Sequence, residues 1–346
     1  MNNSTEFNIK FIVRVHCTTY NHAPYIVDAM NGFCIQKTDF PFVCTFFDDA
    51  STDGEQEVIH NYLQDHFDLE DKFFVRNEET DDYLYTFARH KTNHNCFFAI
   101  YYLKYNHYSI KKTKAPYLKD WAHTVKYIAI CEGDDYWTDS KKLQTQYDFM
   151  RSHPNYSMIY HPVLYDTMGK LEKKKTMIRY ERDVNTYDVI EGGGGFIPTC
   201  SIFCKKEVSA EQPEFRLVAN VGDYPLQIFF TLKGKVHYIP NIMGVYRRFT
   251  QNSWTKRTKE NRLERNEKME YWMSSLNRFT NQKYHSIINY ILLLEYYALF
   301  KEGIIQYSYF IKKKNSLPIS ILKLKRRNAI QYFKIVAYTF YQRITK

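Results

Sequence analysis

Residues 127–139 of this 346-residue chain read Tyr-Ile-Ala-Ile-Cys-Glu-Gly-Asp-Asp-Tyr-Trp-Thr-Asp. A short apolar run, rich in residues that favour strands, stops at three carboxylates within four positions. This pattern predicts a buried strand that ends at the carboxyl edge of a sheet. Open α/β sheets bind their ligands at that edge. The segment therefore predicts an α/β fold with a binding site at residues 132–135.

The carboxylates of Glu132, Asp134 and Asp135 would repel one another without a partner. A divalent cation removes this conflict, because Mg²⁺ and Mn²⁺ prefer hard oxygen ligands and complete their shells with substrate phosphates. The alternative is an acidic turn before a helix that starts near Ser140, since Asp and Ser are common before helices. An isolated Asp-Asp pair would favour that turn. Here the strand before the pair and the aromatic residues Tyr136-Trp137 after it favour a metal site.

Two earlier strands are also followed by polar loops. Ile9 to Cys17 predicts a first strand, and the loop Thr18-Thr19-Tyr20-Asn21-His22 leads into a helix with an apolar face. Phe42 to Phe47 predicts a second strand, which ends in Asp48-Asp49-Ala50-Ser51-Thr52-Asp53-Gly54. Thr52 and Glu55 have the spacing of a capping box for the next helix. The first loop lacks Gly-x-Gly-x-x-Gly, which argues against a nicotinamide-type Rossmann site.

Four further segments complete the predicted elements. Lys72 to Val75 reads as a short strand, and Cys96 to Leu103 reads as a helix within a stretch that has no sustained period. Ser157 to Tyr165 reads as another strand, and Lys170 to Asp183 as a charged surface hairpin or loop. The alternation of strands and helices predicts an α/β sheet fold.

These motifs resemble those of family 2 glycosyltransferases, which have the GT-A fold. Glu-Gly-Asp-Asp-Tyr-Trp, followed by Lys142-Leu143 and Gln146, is similar to the family's metal-binding segment. The resemblance covers roughly Ile9 to Trp254, with a divergent gap from Asn77 to Lys126. It implies that Mn²⁺ or Mg²⁺ bridges the diphosphate of a sugar nucleotide at Asp134, assisted by Glu132 and Asp135.

The resemblance also implies which residues bind the nucleotide. Tyr20 would stack on the base beside Thr18 and Asn21, and Asp48, next to Asp49, would accept a hydrogen bond from the base imide. From the residues alone, Tyr20 and Asn21 are as readily explained by a turn, and one of the two aspartates is needed only to close its turn.

The family's last motif usually reads Tyr-Arg-x-His, in which the histidine helps to bind metal or diphosphate. This chain has Phe249 at the position of that histidine. Arg247 and Arg248 are expected to balance the charge of the diphosphate.

Gly222-Asp223-Tyr224-Pro225-Leu226 resembles the segment that supplies the family's catalytic base, which implies that role for Asp223. Pro225 suits the first turn of a helix, so Asp223 lies at a helix amino terminus, where plain capping is the alternative. Family members carry a loop like residues 191–199 beside the acceptor pocket, so Thr199, Ser201 and Trp137 are expected on the acceptor side. The four consecutive glycines of this segment are alternatively a loose connection.

Net charge is +10, and it is unevenly placed, because the chain from Gly303 onward has ten Lys or Arg and no Asp or Glu. Leu317 to Lys346 predicts a basic amphipathic helix that fits an anionic membrane surface. It could equally dock on a partner or close the core. Met1 to Lys10 has no apolar signal core, and Ile287 to Phe300 is too short to span a bilayer. We expect a cytoplasmic protein, peripheral on the inner face of the plasma membrane.

The predicted fold is α/β, with a GT-A-like mixed, mostly parallel sheet flanked by helices over residues 1–254. Its nucleotide-sugar half is expected at about 1–140 and its acceptor half at about 141–254. Residues 255–346 are predicted as a helical, basic C-terminal region. Seven cysteines at irregular spacing do not form a disulfide framework or a zinc site.

The predicted function is metal-dependent, inverting transfer of a sugar from a nucleoside diphosphate sugar to an acceptor hydroxyl. By resemblance the donor is a UDP sugar, and the acceptor is a saccharide or lipid-linked saccharide of bacterial surface polysaccharide, such as lipopolysaccharide or capsule. One alternative is a nucleic-acid-binding protein that uses the basic tail and the many tyrosines. Another is a catalytically inactive relative that serves as a scaffold. Phe249 suggests this alternative, because it replaces the family's usual histidine.

Overall fold

The computed structural model describes residues 9–174, 178–250 and 261–344, which divide into two compact units. The first unit consists of the described residues within Met1–Val184, Ile197–Ala210 and Phe230–Ser253. The second comprises Asn185–Phe196, Glu211–Phe229 and Trp254–Lys346. The predicted boundary at residue 254 lies outside the described residues. The second unit also contains two segments that the sequence placed in the sheet domain, residues 185–196 and 211–229.

All the described strands belong to the first unit. They are β1 (Val13–Thr19), β2 (Phe42–Asp48), β3 (Phe67–Asp68), β4 (Arg76–Glu79), β5 (Tyr83–His90), β6 (Cys96–Leu103), β7 (Tyr127–Ile130), β8 (Tyr136–Trp137), β9 (Tyr156–Tyr160), β10 (Leu164–Thr167), β11 (Lys170–Lys173), β12 (Arg182–Val184), β13 (Phe203–Lys205), β14 (Lys235–Tyr238) and β15 (Gly244–Arg248).

The described α-helices occur in both units. They are α1 (Ile26–Cys34), α2 (Glu55–His66), α3 (Lys142–Ser152), α4 (Thr186–Gly192), α5 (Lys206–Ala210), α6 (Glu214–Leu217), α7 (Asp223–Lys233), α8 (Arg262–Phe279), α9 (His285–Lys301), α10 (Tyr307–Ser316) and α11 (Arg326–Ile344). The sequence-based prediction of a helical C-terminal region agrees with α8 to α11. The helix predicted from Leu317 begins only at Arg326, because Pro318 and a 3₁₀ turn at Ile321–Lys323 precede it.

The main sheet has 11 strands within the described residues, in the order β12-β14-β9-β13-β7-β1-β2-β6-β5-β3, with β4 paired to β5. Pairing is parallel among the central strands β7, β1, β2 and β6. In this register Thr19 pairs with Asp48, and His16 pairs with Ile130. The carboxyl ends of β1, β2 and β7 therefore lie at the same edge of the sheet. The predicted mixed α/β fold is confirmed, but the sheet is not mostly parallel. Among the described residues four of its ten strand pairs are parallel, three at the centre and one between β14 and β9, because the strands on both sides join through antiparallel pairs.

A second sheet of four strands, in the order β11-β10-β15-β8, lies next to the metal segment in sequence. Its antiparallel ladder pairs Gly244 with Trp137 and Val245 with Tyr136. This pairing brings the arginine-rich end of β15 alongside the residues that directly precede β8. The second sheet thus connects two motifs that are more than a hundred residues apart.

Three predicted elements differ from the structure. Cys96–Leu103 is the strand β6 rather than a helix, and every residue in it is buried because both faces of the central sheet are covered. A strand buried on both faces shows no alternation, so its apolar run cannot be told from a buried helix. Residues 72–74 form a turn, and the strand begins at Arg76. The predicted strand from Ser157 to Tyr165 is divided between the two sheets as β9 and β10.

The helices of the second unit pack through aromatic and aliphatic side chains. Trp272, Met273 and Leu276 of α8 are buried, and ten residues of α9 are buried along its length. Several cations of the basic tail are paired inside this unit, because Lys313 binds Glu270 and both Lys325 and Arg327 bind Glu191. Among the described residues no helix is long and apolar enough to cross a bilayer.

Candidate metal and nucleotide site

The three predicted metal ligands converge at the end of β7. One side-chain oxygen each from Glu132, Asp134 and Asp135 lies within 4.8 Å of the others. Glu132 is exposed, Asp134 is partly buried and Asp135 is only 1% exposed. The chain stops being apolar at this point because the strand has reached the edge of the sheet, so the acidic side chains face a common region. The geometry agrees with the sequence-based prediction of a cluster here.

Asp135 is the least satisfied of the three carboxylates. Its Oδ1 accepts a hydrogen bond from the backbone N–H of Arg247 at 2.8 Å, whereas its buried Oδ2 has no hydrogen-bond partner among the described residues. Burial, together with the charges of Asp134 and Glu132, raises the pKa of Asp135 well above its usual value. A buried carboxylate beside two others is costly unless it is paired or binds a metal.

A divalent cation fits this cluster. The donor set consists of carboxylate oxygens, which are the ligands that Mg²⁺ and Mn²⁺ prefer. Oδ2 of Asp135 has no partner at full hydrogen-bond geometry among the described residues. The thiol of Cys200, a weak donor, lowers the pKa of this carboxyl only in part, so the protein satisfies the oxygen poorly. Glu132, Asp134 and Asp135 are therefore the residues of this unit that could hold such an ion, and the ion would relieve their repulsion.

Asp134 is held in place from β15 and the residues after it. Its Oδ2 accepts a hydrogen bond from the hydroxyl of Thr250 at 3.0 Å, and its backbone carbonyl accepts one from Nη1 of Arg247 at 3.0 Å. The same oxygen, Oδ2, lies 3.8 Å from Nε2 of His22. Arg247 and Thr250 therefore fix the position of the central carboxylate.

The predicted diphosphate ligand Arg247 is already engaged within the first unit. Its guanidinium forms ion pairs with Asp28 and, at 3.6 Å, with Asp166, and it lies 4.5 Å above the ring of Tyr136. Arg247 thus positions the acidic segment through its side chain and its backbone N–H. A direct contact with nucleotide phosphate stays a prediction.

Position 249, where the family usually has histidine, is an exposed phenylalanine in this protein. Phe249 is 48% exposed and has a φ of 62°, in the left-handed region that residues with a Cβ rarely adopt. The neighbouring Arg248 places its guanidinium 3.9 Å from the centre of the Tyr165 ring. The residue after this turn, Thr250, supplies the hydroxyl that binds Asp134.

The loops after β1 and β2 are joined by Glu55, the first residue of α2. This fully buried carboxylate accepts hydrogen bonds from the Thr19 hydroxyl, from the backbone N–H of His22 at 2.9 Å and from the Ser51 hydroxyl at 2.8 Å. The predicted capping box is therefore wrong. Gly54 precedes the helix without a side-chain cap, because Glu55 bridges the two loops instead of reaching back to Thr52.

Asp48 and Asp49 are both buried, and they have different partners. Asp48 accepts hydrogen bonds from Nε2 of Gln56 and from the backbone N–H of Ser51 at 3.3 Å, while burial raises its pKa to about 6. The Asp49 carboxylate accepts hydrogen bonds from two backbone N–H groups, those of His107 and Tyr108, at 2.8 and 3.1 Å, and lies 3.3 Å from Nζ of Lys114. Asp49 thus anchors the segment after β6. Nucleotide contacts of both aspartates stay predictions.

The other predicted nucleotide residues lie at the same edge of the sheet. Thr18, the penultimate residue of β1, accepts a hydrogen bond from the N–H of Gly133 through its carbonyl at 3.1 Å. Tyr20 follows the strand and is partly exposed, which leaves part of its surface accessible to a ligand. Asn21 has a φ of 56° and accepts a hydrogen bond from the N–H of Thr52 at 2.7 Å, so it ties the two loops together.

Two of the predicted acceptor residues are buried in the first unit. The ring of Trp137 is only 2% exposed, its Nε1 donates to the carbonyl of Cys200 at 2.8 Å, and its centre lies 4.0 Å from Nζ of Lys142. Ser201 is fully buried, and its hydroxyl donates to the carbonyl of Pro198 at 2.6 Å. Both side chains serve packing and turn closure here, and their contact with an acceptor stays a prediction. Thr199 begins a short 3₁₀ turn and is partly exposed.

Lys142 and Gln146 belong to the motif that resembles the family. They hold the turn of Ser201 against α3 through hydrogen bonds. The ammonium of Lys142 donates to Oε1 of Gln146 at 2.7 Å, and Nε2 of Gln146 donates to the carbonyl of Ser201 at 3.0 Å. Burial lowers the pKa of Lys142 to about 7. The two residues therefore join α3 to the turn at 199–201 below the acidic cluster.

Asp223, the predicted catalytic base, belongs to the second unit and is the first residue of α7. Its Oδ1 accepts a hydrogen bond from the N–H of Tyr224 at 2.7 Å. Tyr224 is buried in that unit, where its hydroxyl donates to the carbonyl of Ile190 at 2.7 Å. The helix-terminal position agrees with the prediction, and the approach of Asp223 to the metal ligands stays a prediction.

Three residues of the site were not singled out from the sequence. They are His22, Glu55 and Thr250, each of which contacts another loop of the site. For His22 a signal existed, since it is the last residue of the Thr18-Thr19-Tyr20-Asn21-His22 loop after the first strand. Glu55 matched a local capping pattern, and Thr250 carries no local signal because its partner lies more than a hundred residues earlier.

Comparison with known proteins gives relatives of limited similarity. No protein-family model matches the chain. Uncharacterised proteins of Mycobacterium tuberculosis and Mycobacterium bovis are 28% identical over 240 residues, which cover 68% of this chain. The match spans only 58% of the length of these relatives.

Solved structures show a shared fold. Residues 1–349 of Staphylococcus aureus TarS in complex with UDP-GlcNAc align with a TM-score of 0.53 at 14% identity, over 93% of this chain and 79% of that one. The complex of the same protein with UDP aligns with a TM-score of 0.50 at 13% identity, over 93% and 78%. The present chain therefore has a fold that occurs in a protein crystallised with a sugar nucleotide.

Proposed function

We propose that this protein is a metal-dependent, inverting glycosyltransferase that moves a sugar from a nucleoside diphosphate sugar, a UDP sugar, to an acceptor hydroxyl. The observation that carries this proposal is the convergence of Glu132, Asp134 and Asp135 within 4.8 Å at the carboxyl edge of a mixed sheet. Loops that resemble nucleotide-binding loops follow β1 and β2 at the same edge. The shared fold with TarS supports the same class of donor.

The first unit supplies donor binding in this proposal. Asp48 has its carboxylate at the end of β2, next to β1, where an ionised side chain accepts the imide N–H of uracil. Tyr20 offers a partly exposed ring for stacking on the base. Glu55 holds both loops together, so the two nucleotide contacts keep a fixed separation.

The reaction is a single displacement at the anomeric carbon. The bond from that carbon to the diphosphate oxygen breaks with its electron pair, a bond to the acceptor oxygen forms on the opposite face, and Asp223 takes the acceptor proton. When held by Glu132, Asp134 and Asp135, Mn²⁺ or Mg²⁺ would supply the positive charge that stabilises the leaving diphosphate. Asp134 and Asp135 are held by Arg247 and Thr250, so their orientation is established before substrate arrives.

The acceptor in this proposal is a saccharide or lipid-linked saccharide of a bacterial surface polysaccharide, reached at a membrane surface. Ile330, Phe333 and Phe340 of α11 are 47%, 56% and 63% exposed. Lys323, Arg326 and Lys334 are exposed in the same part of the chain. Apolar and basic side chains together favour contact with anionic lipid headgroups. Flotation with vesicles that contain anionic lipid, against neutral vesicles, measures this contact.

The test of the proposed function is a thermal-shift screen of nucleotide sugars with and without Mn²⁺, followed by donor hydrolysis and transfer assays. We expect one UDP sugar to raise the melting temperature only when Mn²⁺ is present, because a ligand stabilises the folded form in proportion to its affinity. Asp223→Asn should bind the donor normally and lose transfer by about a hundredfold or more. Normal transfer by Asp223→Asn would remove Asp223 as the base.

The same experiments separate the alternatives. Donor binding without hydrolysis or transfer would identify an inactive relative that serves as a scaffold, the alternative suggested by Phe249. Binding of nucleic acid that weakens steeply with salt and needs no metal would identify a nucleic-acid-binding protein. The pairing of Lys313, Lys325 and Arg327 within the second unit leaves fewer tail cations for such a contact.

A further inference from the structure

We propose that Nε2 of His22 is a nitrogen ligand of the metal centre, in addition to the carboxylates of residues 132–135. This inference rests on the proposed function, since it assumes that the acidic cluster holds a cation. Nε2 lies 3.8 Å from Oδ2 of Asp134, and the two side chains are 14% and 16% exposed. The imidazole therefore comes from the loop after β1 and not from position 249.

The hydrogen bonds around His22 determine which ring nitrogen carries the proton. The hydroxyl of Thr19 has one proton and donates it to Oε1 of Glu55. That hydroxyl also lies 3.1 Å from Nδ1 of His22, and toward the ring it can only accept. Nδ1 therefore carries the hydrogen in the neutral imidazole, and Nε2 presents its lone pair toward Asp134.

A lone pair facing a carboxylate is unfavourable unless a metal ion or a proton lies between them, and the experiment below distinguishes the two. The pattern in which one ring nitrogen donates to a fixed acceptor while the other is a bare lone pair is that of metal-bound histidine. Two ligands that share a cation at about 2.1 Å each are about 3.0 to 4.2 Å apart. The observed 3.8 Å falls inside that range.

A second observation also indicates a ligand at this point. Oδ2 of Asp135, in a residue that is 1% exposed, has no hydrogen-bond partner among the described residues. One oxygen of Asp135 lies within 4.8 Å of an oxygen of Asp134, the residue that His22 faces. The unpartnered oxygen thus belongs to the residue next to the carboxylate that His22 faces.

The loop that contains His22 lies in close contact with Gly133 of the acidic segment. A Cβ at Gly133 would lie 2.2 Å from Oγ1 of Thr19 and 3.1 Å from Nδ1 of His22. The backbone N–H of His22 is itself held by Oε2 of Glu55 at 2.9 Å. Glycine at position 133 therefore permits the close approach that brings the ring to the carboxylates, and Glu55 keeps the ring there.

The test is the electron spin-echo envelope of Mn²⁺ bound to the full chain, purified with chelator and then loaded with Mn²⁺ alone or with Mn²⁺ and UDP. A directly bound imidazole gives a ¹⁴N modulation. We expect this signal in the natural protein and in His60→Ala, whose histidine is exposed on α2. His22→Gln should bind Mn²⁺ without the modulation, and His22→Ala should bind it at least about tenfold more weakly.

The outcomes separate this inference from the proposed function. Mn²⁺ that binds without a ¹⁴N modulation, or with one that persists in His22→Gln, overturns the ligand role of His22 and leaves the metal-dependent enzyme intact. A loss of UDP affinity in His22→Ala without any metal, and no ¹⁴N signal, would make His22 a phosphate contact and also overturn it. Natural protein that binds no Mn²⁺ under either condition overturns the metal centre itself. Thermal unfolding of each variant confirms that it is folded.

Discussion

Two pairs of adjacent aspartates follow buried strands in the same sheet, and they have opposite environments. Asp48-Asp49 follows β2, and its oxygens are met by Gln56, by backbone N–H groups and by Lys114. Asp134-Asp135 follows β7 beside a third carboxylate, and one buried oxygen has no partner among the described residues. Each pair therefore contains a buried aspartate, and a buried carboxylate oxygen without a partner distinguishes the candidate metal site.

The comparison shows how a structural acidic turn differs from a ligand site. The Asp49 carboxylate is neutralised by Lys114 and stabilised by two N–H donors, so it completes a local structure. The Asp135 carboxylate is left with a raised pKa by burial and by like charges. A buried carboxylate beside like charges lowers the stability of the fold unless a cation or ligand binds it.

The largest expected difference between the pairs is in metal binding. Asp134→Asn should weaken Mn²⁺ binding by more than about a hundredfold, since it removes a direct ligand rather than a residue that orients one. Asp49→Asn should leave Mn²⁺ affinity unchanged. Isothermal titration of both variants measures this. Equal losses in the two variants would break the distinction drawn between the pairs.

The free energy of unfolding should fall when Asp49 is substituted and not when Asp135 is, the opposite of the expectation for metal binding. Asp49→Asn leaves Lys114 without its partner and should lower the free energy of unfolding by about 3 kcal/mol. Asp135→Asn keeps an acceptor for the N–H of Arg247 and removes a like charge, so it should raise the stability of the metal-free protein. Urea unfolding in chelator tests both changes. A destabilised Asp135→Asn would show that its charge already has a partner in the protein.

Substitution of Gly133 tests how closely the loop after β1 approaches the acidic segment. Gly133→Ala places a Cβ 2.2 Å from Oγ1 and 2.6 Å from Cβ of the buried Thr19, so we expect a loss of about 2 kcal/mol in unfolding free energy. Gly222→Ala is the matched control, because nothing lies within 4 Å of its added Cβ. Similar urea midpoints for the two variants would show that the loop moves away at little cost.

The smallest expected effect is the pH dependence of Asp48. Because burial raises its pKa to about 6, Asp48 is ionised at pH 7.5 and mostly protonated at pH 5. UDP affinity should fall by up to about tenfold over that interval, since the protonated carboxyl is a poorer acceptor. Asp48→Asn should remove this pH dependence. If the natural protein kept a constant UDP affinity from pH 7.5 to 5, Asp48 would not be a contact of the uracil base.

The same shift affects stability with a defined sign. A carboxyl that binds its proton more tightly in the folded protein stabilises the fold at low pH. That contribution from Asp48 is fully present below about pH 4 and is lost as the pH rises through about 6. Unfolding of Asp48→Asn at several pH values isolates it from the other carboxylates.

Much of the fold followed from local patterns. The alternation of apolar residues and the positions of polar loops placed β1, β2, β7 and the helices after them within a few residues. The prediction for β6 failed because a strand buried on both faces has no alternating pattern. Glu55 was misread for a related reason, since its spacing from Thr52 fits a cap while its partners lie in the loop after β1.

The sequence by itself determined the strand-and-loop order and the cluster at 132–135, because both depend on neighbours within a few residues. Tertiary structure decided which charges are neutralised. It paired Asp49 with Lys114, turned Arg247 toward Asp28 and Asp166, and buried Trp137. These partners are separated by dozens to hundreds of residues, and only the folded chain brings them within hydrogen-bonding distance. The free energy of a buried charge depends on such partners, so a pair of aspartates acquires its role from the fold around it.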